Sequence, residues 1–241
     1  MKITEYIRSK VEVMPHNYIF TSKDFVTDQH KMESIIRTLN RMALWCEIIK
    51  VAKGKYCLPP SKTPVDSYPF KAELVQDLLQ DGDQIKGYLT GLTAYKMLGL
   101  TTKEDYEIHI GCNGHREEMQ IGQYAIHFAR QRNIITLQNI RLLQILDAMR
   151  HIKRIPDTTV LLSCEHLLRI IKSLRRSEVE MLVRLSKKYL PATRALLGAM
   201  LETLYFEELA GSIYRSMVSN RLYDLKGVGR VIHDPYKWKL Y

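Results

Sequence analysis

Residues 28–42 constrain this chain more than any other stretch. At about 100° per residue, Met32, Ile35, Ile36, Leu39, Met42 and Ala43 gather on one side of a helical wheel. His30, Ser34, Arg37 and Arg41 form a stripe roughly opposite. Such a helix buries one face and offers guanidinium groups on the other. Before it, Thr21 can cap a short helix that begins at Ser22, with Asp24 set against the first-turn dipole and Phe25 and Val26 turned to a core. Thr27 or Asp28 then caps the long helix. After it, residues 46–58 (CEIIKVAKGKYCL) set β-branched side chains on either side of Lys53-Gly54-Lys55. This predicts a hairpin with Lys50, Lys53 and Lys55 at or near its tip. Two helices, a turn and a basic hairpin are the order in which a winged helix-turn-helix grips double-stranded DNA, the helix in the major groove and the wing on the backbone. His30, Ser34, Arg37, Arg41, Lys50, Lys53 and Lys55 are the expected DNA contacts. A small helical core with a solvated basic face is the plainer alternative.

The charge balance agrees with an anionic partner. The net charge is +10 and the pI is near 9.4, and nucleic acid is the usual partner of such a chain. Cys46, Cys57, Cys112 and Cys164 are scattered without a C-x-x-C pair, which favours reduced thiols and a cytoplasmic setting. No apolar run reaches the roughly 18 residues of a spanning helix. The opening MKITEYIRSK turns amphipathic at once, so neither a signal peptide nor a membrane partner is expected.

Downstream, Pro59, Pro60 and Pro64 stop the hairpin and read as a linker. The expected division is a DNA-binding domain over residues 1–60, a linker and connecting helix over 61–84, and a C-terminal domain over 85–241. A helix over residues 71–80 and a turn at Asp81-Gly82-Asp83 fall in the connector. In the second domain, Thr90 or Thr93 starts a short helix that turns Ala94, Met97 and Leu98 inward and ends at Gly99. Residues 106–110 and 123–128 alternate as strands of a small sheet. Four helices follow, over residues 137–152, 161–174, 177–187 (capped by Ser177) and 191–204. In the first of these, Ile140, Leu143, Leu146 and Met149 share one side. The tail beyond Val228, with Trp238, should fold back on the body. The fold class expected is therefore α+β, a winged helix-turn-helix followed by a small sheet and a helical region.

Chemistry-bearing clusters are few. His109, Cys112 and His115 lie within seven residues, but structural zinc needs four ligands and no second pair stands at a fitting spacing. Asp105 and Glu107 lack the lysine that would follow in a nuclease strand. No phosphate loop, G-x-S-x-G or H-E-x-x-H appears. No catalytic residue, metal or cofactor is expected, and the chain reads as a non-enzyme. Between Arg150 and Arg194, eleven Lys/Arg face four acids, a net of +7. Arg150, Lys153, Arg154, Arg175, Arg176, Lys187 and Lys188 form a candidate surface for a partner or nucleic acid, with a solvated face as the alternative.

Several short motifs resemble the AbiEi-type antitoxins of bacterial type IV toxin–antitoxin systems. They are Ala52-Lys53-Gly54-Lys55-Tyr56 in the hairpin, Leu89-Thr90-Gly91-Leu92-Thr93-Ala94, Leu98-Gly99-Leu100-Thr101-Thr102, Leu146-Asp147-Ala148-Met149-Arg150, Lys153-Arg154-Ile155-Pro156-Asp157 and the closing Pro235-Tyr236-Lys237-Trp238. The resemblance implies a repressor of its own operon that also neutralises a nucleotidyltransferase-like toxin. In such a protein the winged helix binds operator and the C-terminal domain is the antitoxin. A stand-alone regulator without a toxin and a nucleic-acid-processing enzyme stay open beside it.

Overall fold

A computed structural model of the chain describes residues 3–15, 18–27, 32–45, 47–58, 68–121, 124–217 and 221–241. The elements in chain order are α1 (Ile3–Glu12), β1 (Phe20–Thr21), α2 (Met32–Leu44), β2 (Ile49–Ala52), β3 (Lys55–Cys57), α3 (Tyr68–Leu74) and α4 (Gln76–Leu79). Then come β4 (Gln80–Asp81), β5 (Gln84–Ile85), β6 (Gly87–Thr90), α5 (Gly91–Met97), β7 (Glu107–Cys112), β8 (Met119–Ile121) and β9 (Tyr124–Arg130). The helices α6 (Ile140–Arg150), α7 (Val160–Ser173), α8 (Arg176–Ser186), α9 (Pro191–Thr203) and α10 (Glu207–Arg215) close the series. The architecture is α+β, as expected. Contacts divide it into two units, Met1–Leu78 with Glu118–His127, and Leu79–Glu117 with Phe128–Tyr241. Among the described residues no helix is long and apolar enough to cross a membrane.

The first unit is organised by α2. Ile35, Leu39 and Met42 recur at helical spacing and are buried with Ile7, Val11, Phe20, Phe25, Ile48 and Tyr56. Phe20 meets Phe25 edge-to-face at 5.5 Å and stacks on Tyr56 at 6.3 Å. The buried face is centred on Ile35, Thr38 and Met42, not on the whole apolar set. Met32 and Ile36 are exposed. Thr38 is buried in their place, because its hydroxyl donates to Ser34 O (2.8 Å) and so brings no unpaired donor into the core. Thr21 caps as expected: Lys23 N donates to its Oγ1, and its own N–H donates to Asp24 Oδ2 at 2.6 Å. The short helix it caps is a 3₁₀ turn, Ser22–Phe25. Strands β2 and β3 form the expected hairpin, turned by Gly54 at φ +75°, and β1 pairs with the other edge of β3.

The proline stretch lies outside the described residues, and the first unit continues past it to Leu78. Two contacts account for this extension. Lys55 Nζ stands 3.0 Å from Asp77 Oδ2, and the buried Lys71 places its ammonium over the Tyr124 ring at 5.9 Å. The second of these ties β8 and β9 as far as His127 into the first unit, whereas the sequence pattern assigns that stretch to the second domain.

In the second unit β6 and β7 run antiparallel from Gly87↔Cys112 to Thr90↔His109, and Gln131 N donates to Cys112 O (2.7 Å) just past the end of β9. Helix α6 sits against α5, α8 and α9. It is buried all round from Leu142 to Met149, not along one side. Met97 is exposed rather than inward. Ser177 is not the cap of α8; the Arg175 N–H donates to Glu178 Oε2 (2.9 Å) one turn in. Helix α10 is an element the sequence pattern did not announce.

The tail folds back as expected. Trp238 is buried, donates from Nε1 to Glu202 Oε2 (2.6 Å) and meets Tyr214 edge-to-face at 5.5 Å. The ring lies directly on Gly198 of α9, where an added Cβ would stand 2.1 Å from it. Gly198→Ala should therefore destabilise the protein by about 1–3 kcal/mol through overpacking. Trp238→Ala should cost roughly 3–5 kcal/mol through the cavity it leaves. Urea unfolding measures both, and an unchanged midpoint for Gly198→Ala would show that the close approach does not hold in solution.

Candidate nucleic-acid interface and a basic cleft

On the first unit, α2 and the β2–β3 hairpin carry the expected DNA contacts, and the structure sorts them. His30 lies outside the described residues. Ser34 and Arg37 are exposed on α2, and Arg37 is only loosely near Glu33, at 3.9 Å. Arg41 donates to Thr4 Oγ1 (2.8 Å) and its guanidinium lies 5.3 Å from the centre of the Trp45 ring, itself exposed. Lys50 donates to Asn40 Oδ1 (3.1 Å), which also accepts from the Tyr56 hydroxyl (2.9 Å). Lys53 is exposed at the hairpin turn. Lys55 departs from expectation. Its side chain is 18% exposed and paired with Asp77, so it braces the unit instead of extending from the tip.

The basic residues between Arg150 and Arg194 are spread along the helices, and several are already paired. Arg175 and Arg176 sit at the start of α8 and Lys187 and Lys188 just beyond its end, about 16 Å apart at 1.5 Å per residue. Arg175 is paired with Glu178, and Arg176 with Glu180 and Glu208. Lys153 pairs with Asp224 at 2.8 Å, and Lys188 donates to Arg132 O at 3.1 Å. Pairing through i,i+3 and i,i+4 neighbours is the ordinary fate of helix charges. Arg150 and Arg154 differ, because both line a cleft within the second unit.

That cleft, about 500 Å³ in volume, is built on a buried polar network the sequence reading missed. Asp147, in the middle of α6, accepts from Tyr88 Oη (2.7 Å) and Thr90 Oγ1 (2.7 Å) at one oxygen and from Tyr189 Oη (2.8 Å) at the other. Gln131 Nε2 donates to both tyrosine hydroxyls, at 2.9 Å each, and Gln131 Oε1 accepts from Asn133 N. Each hydroxyl thus accepts one hydrogen and gives its own to Asp147, which makes the network internally complete. Burial, then the nearby Asp147 charge, pushes the Tyr88 and Tyr189 hydroxyls well above the ordinary phenol range, so they remain donors. Burial, then Asp147, also raises Tyr95, and the Arg150 and Arg154 guanidiniums oppose that rise.

Backbone geometry keeps the cleft open beside this floor. Gly91 follows Thr90 at φ +62°, and a Cβ there would meet the His109 ring at 2.8 Å. His151 Nδ1 stands 3.1 Å from Asp147 O, so that nitrogen carries the hydrogen. Burial, then the Arg150 charge, holds its pKa below the ordinary 6.5. Of the His109, Cys112 and His115 cluster, only His109 lines the cleft, and the Cys112 thiol donates to Gly114 O (3.2 Å). Among the described residues no group of three His, Cys, Asp or Glu stands so as to hold a metal.

The model of DUF6088, a family of unknown function, matches residues 3–169. The chain belongs to the DUF6088 family. The matched stretch takes in every residue that lines the cleft. The crystal structure of RV2827C protein from Mycobacterium tuberculosis superposes on this DUF6088 chain with a TM-score of 0.59, at 12% identity, over 100% of this chain and 91% of that one. At that identity what is shared is the fold. None of the curated proteins matches the sequence.

Two outcomes test the cleft's foundations. Asp147→Ala strands three hydroxyl donors, each worth about 1–3 kcal/mol if left unsatisfied, less whatever water entering from the cleft recovers. It should lower stability in urea clearly more than Tyr88→Phe, which removes one donor; equal losses would mean the network is not closed as described. His151 gives a pH dependence. Its folded pKa lies below the unfolded value, so the folded state binds fewer protons, and stability present above the ordinary histidine value is lost as pH falls through it. Between about pH 7 and pH 5 the melting temperature of the wild type should fall more steeply than that of His151→Asn.

Proposed function

We propose that this protein is a DNA-binding transcriptional regulator whose first unit is a winged helix-turn-helix. One observation carries the reading. α1, β1, the capped 3₁₀ turn, α2 and the β2–β3 hairpin follow in the order of that motif, with a three-stranded antiparallel sheet ordered β1-β3-β2. In this reading α2 is the recognition helix. Its buried side, Ile35, Thr38, Leu39 and Met42, anchors it, and Ser34 and Arg37 are free to face base edges. Met32 and Ile36 are exposed too, but at about 100° per residue they lie roughly 100–160° round the helix from Ser34 and Arg37, beside the buried stripe. Lys53, at the hairpin tip, is the phosphate contact of the wing, as a flexible point charge should be. Arg41 and Lys50 are already hydrogen-bonded and position more than they read. A toxin partner for the second unit rests on the resemblance to AbiEi-type antitoxins alone.

Fluorescence anisotropy with the DNA upstream of the protein's own gene and with random duplex of equal length tests this reading. Arg37→Ala should weaken the upstream site by about 1–3 kcal/mol and random DNA far less. Lys53→Gln should weaken both alike and lower the salt slope by about 1. Lys55→Gln should change the slope less than Lys53→Gln, because Asp77 already holds that ammonium. Failure of the intact protein to bind either duplex at low salt removes the proposal.

A further inference from the structure

The cleft of the second unit has a charge arrangement that the fold does not need. Lys103, Arg130, Arg150 and Arg154 line it. They arrive from three separate stretches: the segment after α5, the last residue of β9, and the end of α6 with the turn that follows. No side-chain hydrogen bond or ion pair holds any of the four among the described residues. Other cations of the same unit do find carboxylates, as in Lys96–Glu104, Lys153–Asp224 and Lys237–Glu202. The α6 dipole accounts for a cation at Arg150, the last residue of that helix, but not for Lys103 or Arg130. Two carboxylates also line the cleft: Asp147, whose oxygens accept from three hydroxyls, and Asp105, which accepts from Glu107 N, so four cations face two anions and the lining keeps a positive excess.

Like charges that converge on one concave site repel unless an anion sits among them. We propose that the cleft binds a phosphorylated small molecule of nucleotide size, with Arg150 and Arg154 as its principal phosphate ligands. Guanidinium forks match phosphate oxygens in pairs, and Lys103 and Arg130 add point charges at the rim. The volume of about 500 Å³ falls within the range of small-molecule sites. Leu92, Tyr95 and Pro156 give the same cleft an apolar wall against which a flat ring can lie. The Tyr88–Asp147–Tyr189 network makes the floor rigid, so little ordering is left to oppose binding.

Isothermal titration calorimetry of the full chain with ATP, inorganic pyrophosphate and uncharged adenosine tests this. At least one of the two phosphate compounds should bind with a dissociation constant below about 1 mM, and adenosine roughly tenfold more weakly or not at all. Arg150→Gln with Arg154→Gln should weaken the phosphate compound roughly tenfold or more. Both side chains are exposed, so folding should persist, and thermal melts of the double variant check it. Lys187→Gln with Lys188→Gln, at the far end of α8 and outside the cleft, should leave binding unchanged. Absence of binding by both phosphate compounds overturns the proposal. So does binding that survives loss of the two arginines, or that falls equally with the two lysines, since either would be general attraction to a basic protein.

Discussion

A single buried carboxylate fixes how strand β6 and helix α6 meet in the second unit. Asp147 stands on a helix whose neighbours are almost all apolar, and its charge is tolerable there only because three hydroxyl groups reach it. Two of those hydroxyls, Tyr88 and Thr90, come from β6 and the third, Tyr189, from the segment after α8. The acid therefore ties sheet to helices more specifically than non-directional burial could. Gln131 extends the tie to the end of β9 by hydrogen bonding to both tyrosines. Around this knot the chain leaves a concavity rather than filling it, and Gly91 keeps the backbone close enough to His109 for that concavity to have a wall.

The first unit rests on packing more than on polar ties. Its core is a cluster around α2, Phe20, Phe25 and Tyr56, with the hairpin laid across it. What distinguishes its charged residues is how far each is already committed. Lys55 is bound to Asp77, Arg41 to Thr4 and Trp45, and Lys50 to Asn40, whereas Arg37 and Lys53 stand out into solvent. A charge held by the protein's own groups has less to offer a partner, so commitment ranks the residues where sequence alone treats them as equals.

Local signals were the legible ones. The Thr21–Asp24 capping box, the Gly54 turn, the alternating strands and Pro191 at the head of α9 depend on residues a few positions apart, and each appears where its chemistry requires. The helical wheel of α2 was half legible. Met32 and Ile36 are apolar and exposed, and Thr38 is polar and buried, because position around the axis outranks residue type once a hydroxyl can satisfy itself on Ser34 O. What could not be read was anything set by distant partners. Lys55 meets an acid 22 positions away, and Asp147 meets Tyr88 across 59 residues. One hint was available: an acid inside an apolar helical run must find donors, though nothing in the sequence says which.

Trp238 carries a consequence for how the chain comes into being. The core of the first unit draws on residues between Ile7 and Tyr56 and can assemble while the rest is still being synthesised. The second cannot, because the ring that covers Gly198 and caps Glu202 arrives some 40 positions after the helix it seals. Until then α9 and α10 present an uncovered apolar seam, a state open to proteases and to chaperones. A nascent chain stalled between these points would carry a finished first unit and an unfinished second one.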